Sequence, residues 1–300
     1  MKRAVSVSLG SSARDKQVVV TLKGQELSIE RIGTDGDVPK AQRLFAELDG
    51  KVDALGVGGV DLYLRLDDRE YPLHAALKLV KDVHQTPVVD GRGLKHTLER
   101  RVFELALPAL GGLPRFRRAF VPVAVDRMGL AQAVAEVAEE VILGDLMIAL
   151  GIPIAIRGLA NYRRLARILF PIVSYFPMSM LFYGSGGTEA KPRYQRYWQE
   201  ADLIAGDFLF MRKYLPDDLA GKTVITNTTT AENIELLRAR GVRTVITTTP
   251  RFEGRSFGTN LMEAALTAYA GKSRPLTDAE LNALIDELDL RPSVQRLNEV

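Results

Sequence analysis

Two apolar ribbons of the same pattern, Thr223-Val224-Ile225-Thr226 and Thr244-Val245-Ile246-Thr247, flank a single stretch of helical spacing. Thr229 and Glu232 have the spacing of a capping box for a helix over 231–240, and Gly241 stops it. Consecutive strands separated by one helix tend to lie side by side and parallel. Both ribbons then present hydroxyls at their carboxyl ends, where open α/β sheets bind ligands. This arrangement excludes an all-helical bundle or an all-antiparallel sandwich for the C-terminal half.

The same alternation continues on either side. Just upstream of the ribbons, Met178 to Tyr183 reads as a strand followed by the glycine run Gly184-Ser185-Gly186-Gly187-Thr188. Pro192 to Ala201 reads as a helix, and Leu203-Ile204-Ala205 as a strand. Asn260 with Glu263 and Thr277 with Glu280 have cap spacing for two more helices. Toward the N-terminus, Val5 to Leu9 alternates until Gly10-Ser11-Ser12, a hairpin spans residues 18–32, and Pro39 to Leu48 has helical spacing. Val52 to Val57 is a buried strand closed by Gly58-Gly59, and Lys95 to Leu107 is helical. Leu130 to Leu150 reads as one long helix, apolar over most of its circumference, which implies burial between layers or a homodimer interface. The predicted fold class is therefore α/β, with two Rossmann-like halves, mostly parallel sheets and helices on both faces. The Pro- and Gly-rich stretch Pro108 to Pro114 sets the predicted boundary between an N-terminal domain, 1–114, and a C-terminal domain, 115–300.

Composition removes several function classes. The 300 residues include 40 Lys and Arg against 37 Asp and Glu, a net charge of +3 with the basic groups mostly scattered, so no nucleic-acid partner is expected. There is no cysteine, which excludes thiolate zinc, iron–sulfur clusters and a cysteine nucleophile. The three histidines have no ligand spacing, so no metal site is expected. No apolar run reaches the length of a membrane span, and the opening residues lack a signal-peptide core, so a cytoplasmic protein without a membrane partner is expected. There is no phosphate loop of the G-x-x-x-x-G-K-[ST] type and no G-x-S-x-G elbow. Tyr194, Tyr197 and Trp198 sit at helical spacing and read as packing residues.

Four constellations carry candidate chemistry. The first runs from Thr248 and Thr249 through Arg251, Arg255 and Ser256 to Thr259 and Asn260, from a strand end to a helix start. Free amides, the helix dipole and two arginines there suit a phosphate or carboxylate, making these the candidate substrate residues. The same stretch also reads as a polar loop with solvated arginines. The second is the glycine run Gly184, Ser185, Gly186, Gly187 and Thr188, which together with Asn227 and Thr228 is the candidate cofactor site. A flexible turn explains its glycines equally. The third is Asp90-Gly91-Arg92-Gly93-Leu94-Lys95-His96, where Lys95 and Asp90 form the candidate catalytic pair for proton relay. A helix cap beside solvated cations is the alternative. The fourth is Gly56-Val57-Gly58-Gly59-Val60-Asp61, with Gly10-Ser11-Ser12 as its neighbour across the sheet, unless a hairpin turn explains the glycines.

The stretches Val52 to Tyr63, Thr86 to Arg100 and Ala201 to Asn260 resemble bacterial proteins labelled quinate 5-dehydrogenase, and Gly184 to Thr188 is similar to the glycine turn of quinate and shikimate dehydrogenases. The resemblance implies an NAD- or NADP-dependent oxidation of a cyclic polyhydroxy acid in an anion-binding cleft between the halves. The N-x-T-x-P-x-K motif that carries that family's catalytic lysine is absent, so Lys95 inherits no role from it. The opening strand, Gly10-Ser11-Ser12, the hairpin and Asp90 also resemble the start of sugar and acetate kinases, which implies an ATP-dependent phosphotransferase. A non-catalytic sensor of a small anionic metabolite is the third reading, and whether the chain is an enzyme stays open at this stage.

Overall fold

The computed structural model describes residues 1–181, 194–252 and 255–299. The chain is α/β, with mostly parallel sheets and helices, and divides into two compact units. The first gathers Met1–Leu94, Arg167–Gly186 and Gly258–Asp289, and the second gathers Lys95–Ala166, Gly187–Phe257 and Leu290–Val300. The boundary expected at residue 114 lies inside the second unit. The first unit is discontinuous because two later segments return to it, and no local composition marks such a return.

The first unit is built on β1 (Lys2–Ser8), β2 (Lys16–Leu22), β3 (Gln25–Gly33), β4 (Ala54–Gly58), β5 (Tyr63–Leu66), β6 (Arg69–Pro72) and β7 (Val88–Val89). Five of them form a sheet in the order β2-β3-β1-β4-β7, in which only β2 is antiparallel to its neighbour, while β5 and β6 form a hairpin. All residues of β4 are buried, as expected of a strand covered on both faces. The edge strand β2 alternates instead, with Val18, Val20 and Leu22 inward. Lys23 and Gly24 make the tight hairpin turn with φ of 44° and 85°.

The glycines of β4 serve packing. The helix Thr259–Ala270 approaches so closely that a methyl on Gly56 would lie 2.9 Å from the Asn260 carbonyl oxygen, and one on Gly58 would lie 3.0 Å from Asn260 Nδ2. Gly91, at φ +90°, meets the same helix, because its Cβ would stand 2.5 Å from the Asn260 amide nitrogen. A hairpin turn is thus not what the Gly56–Gly58 pair provides.

The second unit holds β8 (Phe116–Val121), β9 (Ala138–Leu143), β10 (Ile156–Arg157), β11 (Leu203–Ala205), β12 (Thr223–Thr226), β13 (Thr244–Thr247), β14 (Arg251–Phe252), β15 (Arg255–Ser256) and β16 (Ser293–Arg296). Its main sheet has the order β10-β9-β8-β11-β12-β13-β16, parallel from β9 to β13 and antiparallel at both edges. The two threonine ribbons are neighbours in register, Thr223 opposite Thr244 and Thr226 opposite Thr247. Phe120 and Trp198, both fully buried, meet edge to face at 4.9 Å in the core. Strand order reverses around β8, which leads by one helix to β9 on one side and pairs with the later β11 on the other.

Several expected elements differ. Residues 130–150 are not one helix but a helix, Met128–Val137, then β9, then a short helix, Asp145–Ile148. Ala138 turns extended, Glu140 pairs with Arg118 and Arg157, and Val141, Ile142 and Leu143 are buried inside the sheet. The apolar surplus that suggested a dimer is therefore the interior of a strand. Met178–Leu181 is helical rather than extended. The helix at Ala231–Ala239 is capped by Thr230, not Thr229, and the helix at Thr259 begins after Gly258 rather than being capped by Asn260.

The Thr277–Glu280 capping box is present, with both reciprocal hydrogen bonds. Thr277→Ala is expected to lower the stability of the first unit by about 1 kcal/mol in chemical denaturation, and Thr277→Ser to restore it. Among the described residues, no helix is long and apolar enough to cross a membrane.

Candidate functional site

Strand order reverses between β8 and β11, and the carboxyl ends of the strands at such a point are the ligand position in open α/β sheets. The chain places ionised groups there. Asp126 and Arg127 follow β8, and Asp207 follows β11, where it caps the helix Phe208–Met211 by accepting from the Phe210 amide at 3.1 Å. Lys95 and Glu99 come from the segment that opens the unit.

Arg127 is the hub. Its guanidinium donates to Glu99 Oε1, and to Asp207 Oδ2 at 3.0 Å. Asp207 Oδ2 also accepts from Asn227 Nδ2 at 2.8 Å, and Lys95 Nζ donates to Asp126 Oδ2 at 3.1 Å. The cations lie inside: the side chains of Lys95 and Arg127 are 5% and 4% exposed, and that of Glu99 is 0% exposed. The carboxylates of Asp126 and Asp207 reach outward, at 27% and 31%. Burial pushes the Glu99 carboxyl up, although Arg127 and Lys95 pull it down. At Asp126 burial acts in the same upward direction, but Lys95 and Arg127 outweigh it and hold the carboxyl below its ordinary value. Arg127 is held firmly charged: burial opposes its charge, and Glu99, Asp126 and Asp207 overcome it.

The threonines of β12 and β13 lie beside this cluster and are spoken for. Thr226, Thr247, Thr248 and Thr249 are fully buried. Thr229 and Thr247 share a hydrogen bond of 3.1 Å, Thr249 donates to the Asn227 carbonyl, and Thr226 donates to Asn227 Oδ1 at 3.2 Å. Thr248 faces Glu99 Oε1 at 3.5 Å, the outer limit of a hydrogen bond. The ribbon tips are adjacent, as their sequence echo implied, but their hydroxyls are bonded internally. Carboxylates, not open amides, dominate this edge of the sheet.

The other expected site residues are distributed as follows. Asp90 is buried in the first unit, where it accepts from the Leu62 amide at 2.8 Å and the Arg92 amide at 3.1 Å. Lys95 belongs to the second unit and is paired with Asp126, so each member of the expected Asp90–Lys95 relay has its own partner within its own unit. Thr259 and Asn260 belong to the first unit, and Asn260 Nδ2 donates to Ser6 Oγ at 2.6 Å. Arg251, Arg255 and Ser256 lie on the small hairpin β14–β15. The glycine run Gly184, Ser185, Gly186, Gly187 and Thr188 lies outside the described residues. Among the described residues, no group of three metal-ligating side chains could hold a metal ion.

Glu99, Asp126, Arg127 and Asp207 were missed because they form no motif in sequence. One signal was available. Lys95, Glu99, Val102 and Ala106 fall on one helical stripe, and two opposite charges on an apolar stripe point to a paired, buried function.

The turn after β8 is also already filled. The Ala124 amide donates to Asp145 at 3.0 Å and the Val125 amide at 2.8 Å, and Tyr162 donates to the same carboxylate at 3.2 Å. In the first unit, a hollow of about 780 Å³ opens at the amino end of β1, beside the Lys2–Asp53 ion pair, at the sheet edge opposite the strand ends that carry Ser8 and Gly58.

Comparison with known proteins places the chain by sequence. A family model described as Domain of unknown function (DUF8753) matches residues 3–90, and one described as Domain of unknown function (DUF8754) matches residues 93–297. No curated protein matches the chain. Among solved structures, a malic enzyme of Entamoeba histolytica is 9% identical over 84% of this chain and 52% of that one, with a TM-score of 0.39. The chain thus spans about half the length of that enzyme. GanP, a glucose-galactose binding protein from Geobacillus stearothermophilus, is 11% identical over 100% of this chain and 98% of that one, with a TM-score of 0.38. A Mycobacterium smegmatis protein in complex with β-D-fucofuranose is 9% identical over 99% of this chain and 92% of that one, with a TM-score of 0.35. Likenesses this loose carry no argument about ligand or reaction. The sequence match does place the chain, and with most of its length inside the second family model it belongs to the family described as Domain of unknown function (DUF8754).

Proposed function

We propose that the second unit binds a small, neutral, hydroxyl-rich metabolite, of the class of sugars and cyclic polyols, at the carboxyl edge of its sheet. One observation carries the reading: Asp126 and Asp207 are part-exposed carboxylates, each fixed from behind by a buried cation, Lys95 and Arg127. Carboxylates held in this way are strong, oriented acceptors for paired hydroxyls. An anionic metabolite is disfavoured at this edge, since its charge would meet Asp126 and Asp207 first.

A dehydrogenase acting on such a ligand adds NAD or NADP. The pyrophosphate of a dinucleotide is held by amides in the turn after the first strand of a Rossmann-like sheet. Here those amides, on Ala124 and Val125, already donate to Asp145. The described residues therefore do not fit the group at that turn, and no hydride step is drawn. Reversible binding, as in a sensor, requires nothing further.

The test is a thermal-unfolding screen of the full chain against hexoses, inositols, quinate, NAD and NADP. A neutral polyol at 100 times its dissociation constant is expected to add about 2.7 kcal/mol, a rise of roughly 5–10 °C for a unit of this size. Asp126→Asn is expected to weaken that ligand about tenfold, the loss of one charge-assisted hydrogen bond. No shift from any polyol, or an equal shift in the variant, removes the reading. A response to a dinucleotide together with quinate replaces it with the dehydrogenase.

A further inference from the structure

At the carboxyl end of β1, in the first unit, two arginines converge on one glycine. A methyl group on Gly10 would collide with Arg14 Nη2, and would stand 3.1 Å from Arg31 Nη2 and 3.3 Å from Ser8 Oγ. Both guanidinium nitrogens therefore lie within 3.1 Å of one point above Gly10. Like charges do not gather without a reason, because each raises the cost of the other. The repulsion registers on Arg31, whose guanidinium is held below its ordinary value by burial and then by Arg14, against Asp15 and Asp35.

The nearby carboxylates leave Arg31 Nη2 and Arg14 without an ion-pair partner among the described residues. Asp15 accepts from Arg31 Nη1 at 2.7 Å and from the Gly33 amide at 2.6 Å. Asp35 accepts from the Ser12 amide at 2.8 Å. Arg31 Nη1 also donates to the Ser11 carbonyl at 3.0 Å, which fixes the guanidinium and aims its other nitrogen. That nitrogen, Nη2, is buried and has no hydrogen-bond partner. Arg14 is exposed and makes no ion pair among the described residues. Ser8 Oγ accepts from the Gly10 amide at 3.1 Å and keeps its proton to donate. A buried unpaired donor on a charged group is unfavourable unless a ligand completes it.

We propose that Arg14, Arg31 and Ser8 form a binding site for a tetrahedral oxyanion, inorganic phosphate or the phosphoryl group of a small metabolite, held between the two guanidiniums beside Gly10. The absence of a side chain at Gly10 lets the Arg14 guanidinium approach Arg31 across the backbone, and the neighbouring loop clamps that backbone, with the Asp35 amide donating to the Gly10 carbonyl at 3.2 Å and the Gly36 amide to the Leu9 carbonyl at 2.7 Å. Two guanidiniums and a hydroxyl match a dianion with several acceptor oxygens better than a monocarboxylate. The site lies wholly within the first unit and is independent of the polyol reading.

The experiment is calorimetric titration of the full chain with inorganic phosphate, a hexose phosphate and acetate at matched ionic strength. Phosphate is expected to bind and acetate to bind at least tenfold more weakly. Tighter binding of the hexose phosphate assigns the source to a metabolite, and equal binding assigns it to the free ion. Arg14→Gln is expected to weaken phosphate about tenfold while leaving the unliganded melting temperature unchanged or raised, since an unpaired exposed cation is removed. Gly10→Ala, which displaces the far end of Arg14, is expected to abolish the response. Arg43→Gln, on the exposed face of the helix Val38–Leu48, is the control and should bind as the parent does. Absence of phosphate binding in the parent, or undiminished binding in Arg14→Gln, overturns the site.

Discussion

Replacing Arg127 by methionine is expected to lower the stability of the second unit by about 3–5 kcal/mol, the usual effect of breaking a buried ion pair on one side only. The pair is buried on both sides, with side-chain exposures of 4% for Arg127 and 0% for Glu99. Removing the guanidinium strands Glu99 in the interior and frees Asp207 from the bond that orients it. Glu99 Oε2 is already without a hydrogen-bond partner, so losing the guanidinium leaves the carboxylate with only the distant Thr248 hydroxyl and the charge of Lys95. The double variant Glu99→Gln, Arg127→Met is expected to recover at least half of the deficit, because the neutral amide no longer needs a counter-charge. Arg100→Gln, which breaks an ion pair on the surface with Glu136, should change stability by less than about 0.5 kcal/mol. Denaturant midpoints read all three. Equal effects of Arg127→Met and Arg100→Gln would mean that the cluster is wet and not a buried network. Because Arg127 also holds Asp207, the double variant can be folded and still fail to bind a polyol, which separates the stability of the cluster from its use.

Local patterns were legible in the sequence where side chains alternate or cap. The echo of Thr223–Thr226 in Thr244–Thr247 pointed to the parallel neighbours, and Thr277 with Glu280 to a helix start. Residues 130–150 were not legible. A helix buried on nearly all sides and a strand buried on both faces are both continuous apolar runs, and only Glu140, bridging Arg118 and Arg157 across two strands, distinguishes them in retrospect. The return of Gly258–Asp289 to the first unit was equally hidden. Its visible trace is indirect: Gly56 and Gly91 leave no room for a side chain beneath the helix at Thr259, and Gly58 is pressed by Ser8 as well as by Asn260. From sequence alone, Gly56 and Gly58 are equally a site for a hydroxyl or phosphate beside Asp61 and a hairpin turn. The candidate site was half visible. Lys95 was singled out, but its partner Asp126 is 31 residues away and follows a strand whose end carries no motif. Proximity of charged residues from separate strand ends is a product of sheet order, which spacing along the chain does not encode.

The stability of the first unit is expected to fall as pH rises from about 5 to 9, and Glu263→Gln is expected to remove most of that slope. Glu263, on the helix Thr259–Ala270, is 4% exposed and accepts from the Leu94 amide at 3.1 Å. Burial, with Asp90 adding its charge, pushes the carboxyl up to about 8, against the Leu94 and Gly93 amides and Arg92. In the unfolded chain a glutamate titrates near its ordinary value of roughly 4.3. Between these two values the folded state holds a proton that the unfolded state has released, so stability decreases with rising pH. The contribution is fully present below the unfolded value and is lost by the time pH passes the folded one. At about 1.4 kcal/mol per unit of separation the limiting loss is roughly 4–5 kcal/mol. Glutamine keeps the size of the side chain and one acceptor oxygen for the backbone amides, with no charge to desolvate. It is therefore expected to match the parent near pH 5 and to exceed it by about 3 kcal/mol at pH 9. Because other titrating groups are common to both proteins, the difference between their denaturation midpoints at pH 5, 7 and 9 isolates this carboxyl. Parallel pH profiles would show that Glu263 titrates as an ordinary surface acid, and that the Asp90 corner is hydrated and not closed by the helix.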